Sequence, residues 1–421
     1  MKNRIVQTLK TNKMKKQFSF LVLIFLTISV GFAQITPPSL PEVLNQINKD
    51  SLKRTVHDMQ SFGSRLCTKT VGQNRKVAQY LVDRLKTYGV ENAQIDSFYV
   101  STWNWLTGSI DQYMYNVLGT LKGTGETDST VIIGAHLDAI SYTGNYQLTA
   151  SAPGADDNAT GCAVMIEMAR IIYENDLKPR HNIDFMAYDA EEIGLFGAYY
   201  DAEKRAMEDE KIIVMLNNDM VGFQPETEPW KVILHWYYNA QDVTEKAYQA
   251  AIDYTTVTPY IPNSQNNGMN SASDSWAYYE WGFKATFAIE YEFSPYYHSV
   301  NDLIEKLNFE YCRQIARMNF VLLADYADMN LIRNSIACHN NYKIHIDVFP
   351  NPATDIIRVH NYNDLTITQI DIYDIAGRLR ESVNNITQPQ TLISLSSLSS
   401  GVYFMRIYSD KGVVNKKIIK Q

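Results

Sequence analysis

Between residues 40 and 88 apolar positions recur with helical spacing. Leu40-Pro41-Glu42 marks a start, and residues 73–88 form a long amphipathic stretch. The period then shortens to two. Residues 94–100 alternate apolar and polar side chains, and residues 113–121 read as an edge or hairpin strand. Thr130-Val131-Ile132-Ile133-Gly134 is a continuous apolar run, which suits a central parallel strand covered on both faces. The apolar run 183–188 reads as a second buried strand, and residues 212–216 and 285–290 as two more. Helices are expected over residues 162–175 and from residues 194–198 onward. Past residue 345 the pattern changes character. Short alternating strands at 356–360, 370–374, 403–408 and 413–419, with turns at Gly377, Gly401 and Gly412, predict a small all-β sandwich.

At 421 residues the chain is too long for one ordinary core, so two folded domains and a processed segment are expected. The processed segment is at the amino terminus. Lys15-Lys16 leads into an apolar run ending Gly31-Phe32-Ala33, with small residues at the positions a signal peptidase reads. Residues 1–33 are therefore expected to be an export signal, with Met14 a candidate true start. The run is short for a bilayer, so no stable transmembrane anchor is expected. No cysteine follows the cut, which argues against a lipid anchor.

Charge narrows the partners. Residues 1–33 carry six basic and no acidic groups, and residues 345–421 carry eight and seven. Removing these from the totals of 38 and 46 leaves 24 basic and 39 acidic residues between them, a net of −15. Such a domain repels phosphates, so nucleic acid is not an expected partner. A carboxylate-rich site that collects cations fits better. Cys67, Cys162, Cys312 and Cys338 show no metal spacing; an exported chain can pair them, but four cysteines allow three connectivities. Cys162 sits in a helical small-residue pattern and reads as a buried hydrophobe.

The chemistry lies at strand ends. Glu191 and Glu192 follow the strand at 183–188, and open α/β sheets place their reactive groups just beyond the carboxyl ends of strands. Alone, an acidic doublet is more often a solvated helix start. Two such carboxylates repel unless a cation holds them, and the neighbours change the odds. His136 and Asp138 follow the strand at 130–134; Asp156-Asp157-Asn158 sits in a turn-rich loop opening a helix; Asp219 follows 212–216; His298 follows 285–290. Each element has a plainer reading as a turn, cap or structural histidine.

Taken together, Gly134-Ala135-His136-Leu137-Asp138, Gly154-Ala155-Asp156-Asp157-Asn158, Asp189-Ala190-Glu191-Glu192-Ile193-Gly194, Asn218-Asp219-Met220 and Tyr297-His298 resemble the M28 family of zinc aminopeptidases. The likeness covers roughly residues 45–335. It implies an α/β fold with a twisted, mostly parallel sheet and helices on both faces. It also implies two zinc ions: His136 and Asp219 on one, Glu192 and His298 on the other, Asp157 bridging. Imidazole and carboxylate are apt zinc ligands. Glu191, left off the ions, is implied as general base; Asp138 would orient His136, and Tyr297 would donate to the oxyanion, with Tyr296 adjacent as a competitor. The family likeness further implies a cis peptide between Asp157 and Asn158. Asp156 reads as a turn or supporting residue. His57, His181, His235, His339, His345 and His360 fall outside the motifs and read as structural. Ser271-Ala272-Ser273-Asp274-Ser275-Trp276 departs from the family pattern, with Ser275 where histidine is common. No serine sits in a glycine-flanked nucleophile elbow.

The tail resembles the C-terminal sorting domain of the type IX secretion system, through Phe349-Pro350-Asn351-Pro352-Ala353, Tyr373-Asp374-Ile375-Ala376-Gly377-Arg378 and Ser399-Ser400-Gly401-Val402-Tyr403. An accessory binding sandwich is the other reading. The expected organisation is a signal at 1–33, a di-zinc peptidase domain at 34–340 and a sorting domain at 345–421. The implied product is secreted or cell-surface, exported through the periplasm by the type IX machinery, and acts on peptides with a free N-terminus. Two alternatives stand beside it. One is a single-zinc glutaminyl-peptide cyclase of the same fold, which Gly194-Leu195-Phe196-Gly197 disfavours; the other is an inactive peptide-binding relative, which the complete ligand set disfavours.

Overall fold

The computed structural model describes residues 37–67, 73–225, 227, 229–262, 269–332, 346–361, 366–375, 377–384, 386, 390–409 and 412–421. The export signal at 1–33, Cys338, His339 and His345 lie outside them. Helices α1 (Leu40–Leu44), α2 (Lys49–Ser61) and α3 (Asn74–Thr87) open the described chain. The side chain of Asn48 accepts from the amides of Asp50 and Ser51, satisfying two of the donors a helix start leaves free.

Strands β1 (Gln94–Asn104) and β2 (Gly108–Leu121) form a long antiparallel hairpin, in register from Gln94 opposite Leu118 to Asn104 opposite Gly108. Then follow β3 (Thr130–His136), α4 (Ala159–Glu174), β4 (Asn182–Tyr188), α5 (Phe196–Met207) and β5 (Ile212–Asn218). The remainder of the domain is β6 (Lys231–His235), α6 (Gln241–Tyr254), β7 (Thr258–Tyr260), α7 (Ser275–Glu280), β8 (Ala285–Glu290) and α8 (Phe309–Tyr326). The eight strands run β1-β2-β4-β3-β5-β8-β6-β7. The centre, β4-β3-β5-β8, is wholly parallel, while the β1–β2, β2–β4 and β6–β8 pairings are antiparallel. Residues 113–121 are thus a hairpin strand, and β1 takes the edge.

Every residue of β3 and β8 is buried, as a strand with helices on both faces requires. Helices α4 and α8 pack with α2, α3 and α6, while α5 and α7 pack with each other on the sheet. One hydrophobic core runs from Leu40 to Leu331. At roughly 1.5–3 kcal/mol for each large aliphatic side chain taken from water, it is the main favourable contribution to folding.

The tail has its own core, from Ile346 to Ile418. Strands β9 (Ile346–Phe349), β10 (Ile356–Asn361) and β13 (Gln390–Ser394) form a sheet in the order β13-β10-β9. Strands β11 (Ile367–Asp374), β12 (Leu379–Asn384), β14 (Gly401–Ser409) and β15 (Gly412–Lys420) form a second, β12-β11-β14-β15. All pairings in both are antiparallel. The sandwich reading is borne out, and β9, β12 and β13 are strands the alternation did not reveal.

Candidate metal centre

The parallel strands deliver their ends to one place. His136 is the last residue of β3, Asp219 follows β5, the Glu191-Glu192 pair follows β4, and His298 lies on the loop after β8. Asp157 arrives from the loop before α4, through a cis peptide to Asn158, as the family likeness implied. Asn158 caps α4 by accepting the Gly161 amide and donates to the Asn218 carbonyl, so the helix start is tied to the end of β5. Gly161 has to be glycine here. A Cβ at that position would come within 2.2 Å of the Asn218 carbonyl oxygen.

Two ligand groups result, and they share one carboxylate. His136, Asp157 and Asp219 bring donor atoms within 4.8 Å of one another, as do Asp157, Glu192 and His298. His136 Nε2 lies 3.2 Å from Asp157 Oδ1 and 3.3 Å from Asp219 Oδ1. His298 Nε2 lies 2.7 Å from Glu192 Oε2 and 3.2 Å from Asp157 Oδ2. Glu191 approaches His136 Nε2 only to 4.0 Å and belongs to neither group.

Backbone and side-chain contacts fix these groups. The Asp138 carboxylate accepts the amides of Glu191 at 3.1 Å and Glu192 at 3.3 Å. The Asp138 carbonyl, which can only accept, lies 3.2 Å from His136 Nδ1; a proton on Nδ1 leaves the Nε2 lone pair for the carboxylate side. Asp302 accepts the amides of Asp156 at 2.9 Å and Asp157 at 3.1 Å, joining the His298 loop to the Asp157 loop. Ser273 donates to Asp219 at 2.7 Å. Ala190, Met220 and His298 have φ of 62°, 51° and 52°, left-handed conformations that cost non-glycine residues on the order of 1–2 kcal/mol each. All three are in or beside the ligand set.

Beneath the loops lies Arg65, completely buried. Its guanidinium donates to the carbonyls of Leu137 at 2.9 Å, Gly154 at 2.6 Å and Pro153. It therefore joins the loop after His136 to the loop before Asp157. Neither Arg65 nor Asp302 carries a sequence signal for this role: one is a lone base between Ser64 and Leu66, and the other looks like an ordinary loop acid.

The donor set fits a cation. Asp157 Oδ2 and His298 Nε2 are buried without a hydrogen-bond partner among the described residues, although they are 3.2 Å apart. Electrostatics say the same. Burial opposes a charge on His136, yet Glu191 and Asp219 override it and hold the imidazole well above its usual pKa. His298 is likewise raised to about 12 by Glu192 and Asp157 against burial. Burial pushes Glu192 up to about 7, with the Asp157 charge adding to it. Burial also raises Glu191 well above the usual carboxyl range, opposed by His136 and reinforced by Asp219 and Glu192. The pocket draws in positive charge, and a divalent ion on Nε2 of each imidazole would replace the protons.

Tyr297, 38% exposed, stacks on the His298 ring at 3.6 Å. Asp156 turns away from the ligand groups. Its carboxylate accepts from Gly222 N and Thr160 Oγ1, a supporting role as expected. His235 is buried against Phe287, and burial lowers it to about 4. Cys67, Cys162 and Cys312 are free and buried; Cys162 lies 3.2 Å from the His136 carbonyl.

Residues 116–323 match peptidase family M28, and residues 347–421 match a secretion system C-terminal sorting domain. The α/β domain is thus a peptidase family M28 domain, and a secretion system C-terminal sorting domain follows it. A probable leucine aminopeptidase of Arthroderma otae is 26% identical over 294 residues, 68% of this chain and 74% of that protein. The Legionella pneumophila LapA aminopeptidase superposes with a TM-score of 0.57 at 22% identity, covering 68% of this chain and 74% of that one. A Bacillus subtilis zinc aminopeptidase gives 0.53 at 16%, covering 66% and 95%. A Bacteroides thetaiotaomicron glutaminyl cyclase gives 0.52 at 18%, covering 65% and 97%. These superpositions show the shared fold.

Proposed function

We propose that the chain is an exported aminopeptidase that removes residues from the free N-terminus of peptides and holds two zinc ions. The observation that carries this reading is the sharing of Asp157 between two ligand groups, one buried and one partly buried, with Glu191 beside them and bound into neither. His136 and Asp219 would hold one ion, Glu192 and His298 the other, and Asp157 both. Bound zinc supplies Lewis acidity to the scissile carbonyl and to water. Glu191 takes the proton from the attacking water and returns it to the amine nitrogen as the C–N bond breaks. Burial and the charges of Asp157 and Glu192 keep the Tyr297 phenol protonated, so its hydroxyl can donate to the developing oxyanion. Asp138 acts through others: it sets the backbone at Glu191 and Glu192 and the ring of His136.

The sorting domain supports export through the type IX machinery, to the medium or the cell surface. No helix among the described residues is long and apolar enough to cross a membrane. We assign residues 34–340 to the peptidase domain and 345–421 to the sorting domain, in keeping with the two separate cores.

A panel of aminoacyl nitroanilides beside a peptide with N-terminal glutamine tests the reading. Release of nitroaniline, lost by several orders of magnitude in Glu191→Gln with metal retained, is the expected result. Cyclisation of the glutamine peptide by protein holding one zinc would replace the aminopeptidase reading with a cyclase.

A further inference from the structure

The imidazole of His298 is one ring in a line of aromatics that leads out to solvent. Tyr142 meets it edge-on, with centroids 5.3 Å apart and the phenolic oxygen 3.1 Å from Nδ1. Tyr146 lies 5.3 Å beyond Tyr142, and Trp105 lies 5.7 Å beyond Tyr146 in a T-shaped arrangement. Tyr142 is half-buried, whereas Tyr146 and Trp105 are 59% and 66% exposed.

Both outer rings are tied to the same ligand group. Asn104, at the end of β1, donates from its side chain to the Ile193 carbonyl, one residue past Glu192. The other side-chain atom of Asn104 accepts the amides of Leu106 and Thr107, which shapes the hairpin tip that carries Trp105. From the other side, the Tyr142 amide donates to the His298 carbonyl, and the loop closes through Tyr146 N to Thr143 O and Thr149 N to Ser141 O. Leu106 and Tyr142 pack on the small apolar cluster around Phe98 and Ile193. The tip and the loop are therefore anchored at the loops of Glu192 and His298, and their two large rings face water.

Two large adjoining aromatic rings left in water beside a reactive site mark a binding surface. We propose that Trp105 and Tyr146 form a subsite for an apolar or aromatic side chain on the second or third residue beyond the bond being cut. This rests on the aminopeptidase reading and adds a substrate class to it: peptides of three or more residues with a large apolar side chain at the third or fourth position. The direction follows from burial. The His136–Asp219 side is closed, with 1% and 6% exposure, so a peptide extends outward over His298 and along the rings. An extended peptide advances roughly 3.3–3.6 Å per residue, so rings two and three steps out meet residues past the leaving one.

The test compares one nitroanilide that the wild type cleaves with Leu-Gly-Gly-Gly, Leu-Gly-Phe-Gly and Leu-Gly-Gly-Phe. An aromatic pair is worth enough to lower KM about 5-fold for one of the Phe peptides relative to the Gly peptide. Trp105→Ala, Trp105→Gln and Tyr146→Ala should erase that preference and leave nitroanilide turnover unchanged. Binding of the Phe peptide to Glu191→Gln protein, measured by calorimetry, should weaken by the same factor when Trp105 is also replaced. An active wild type without Phe preference would overturn the subsite, as would variants that lower nitroanilide and peptide turnover equally. A wild type inactive on every substrate would overturn the aminopeptidase reading and the subsite with it.

Discussion

The carboxylate of Asp138 accepts the backbone amides of Glu191 and, one residue on, Glu192, from the end of a different strand. An anion binding two consecutive amides fixes the direction in which both glutamate side chains leave the chain. Supporting contacts of this kind commonly change metal affinity or activity by about 10–100-fold. Asp138→Asn should therefore cut kcat by about that factor while the fold survives. Unchanged kcat would show that the amides need no anchor.

Asp157 belongs to both ligand groups, so its loss should affect both. Dialysed wild-type protein should carry close to two zinc ions per chain by elemental analysis. Asp157→Ala should carry none at the same free zinc concentration. One ion retained in that variant would mean that the two groups bind independently.

Arg65 has no side chain of opposite charge in salt-bridge contact among those described, and its guanidinium donates to three carbonyls. Hydrogen bonds from a charged donor contribute roughly 1.5–3 kcal/mol each, and a buried carbonyl left unpaired is costly. Arg65→Met should lose more than about 3 kcal/mol in urea unfolding. Arg65→Lys should recover only part, because an ammonium lacks the planar fork. Equal stability of Met variant and wild type would contradict this.

Burial and the charge of Asp138 push the Asp189 carboxyl up to about 7. A carboxyl raised in the folded state binds protons on folding, so its stabilisation is complete below its unfolded pKa of about 4 and fades as pH climbs towards 7. Glu192 and Asp156, also raised to about 7 by burial, act in the same direction. Chelator-treated protein should thus melt at a higher temperature at pH 5 than at pH 8. Asp189→Asn should flatten the slope, and a melting temperature that rises over this range would refute the assignment.

The two hydrophobic cores, one ending at Leu331 and the other starting at Ile346, predict separable folding. Deleting residues after 340 should leave nitroanilide hydrolysis intact and abolish delivery outside the cell, measured by fractionation. Loss of activity in soluble truncated protein would make the tail part of the enzyme's folding unit.

The sequence by itself determined the elements whose environment is uniform. The buried strands β3, β4 and β8 announce themselves as mainly apolar runs, interrupted inside only by Asp184 and Thr286, because helices cover both faces. It also supplied the set His136, Asp157, Glu191, Glu192, Asp219 and His298, since each falls just beyond a strand or at a helix mouth, where a parallel sheet gathers its loops. The tail strands β9, β12 and β13 were less legible: β9 is only four residues long, and β12 has no fully buried position among those described. Tertiary structure alone decided what joins the loops. Arg65 reaches carbonyls 72 to 89 residues away, Asp302 reaches amides 145 and 146 residues away, and Trp105 meets Tyr146 across two loops. Those partners are backbone atoms or distant rings. Backbone carbonyls and amides are the same at every residue, so no side-chain pattern marks which of them a distant arginine or aspartate will meet once the sheet has folded.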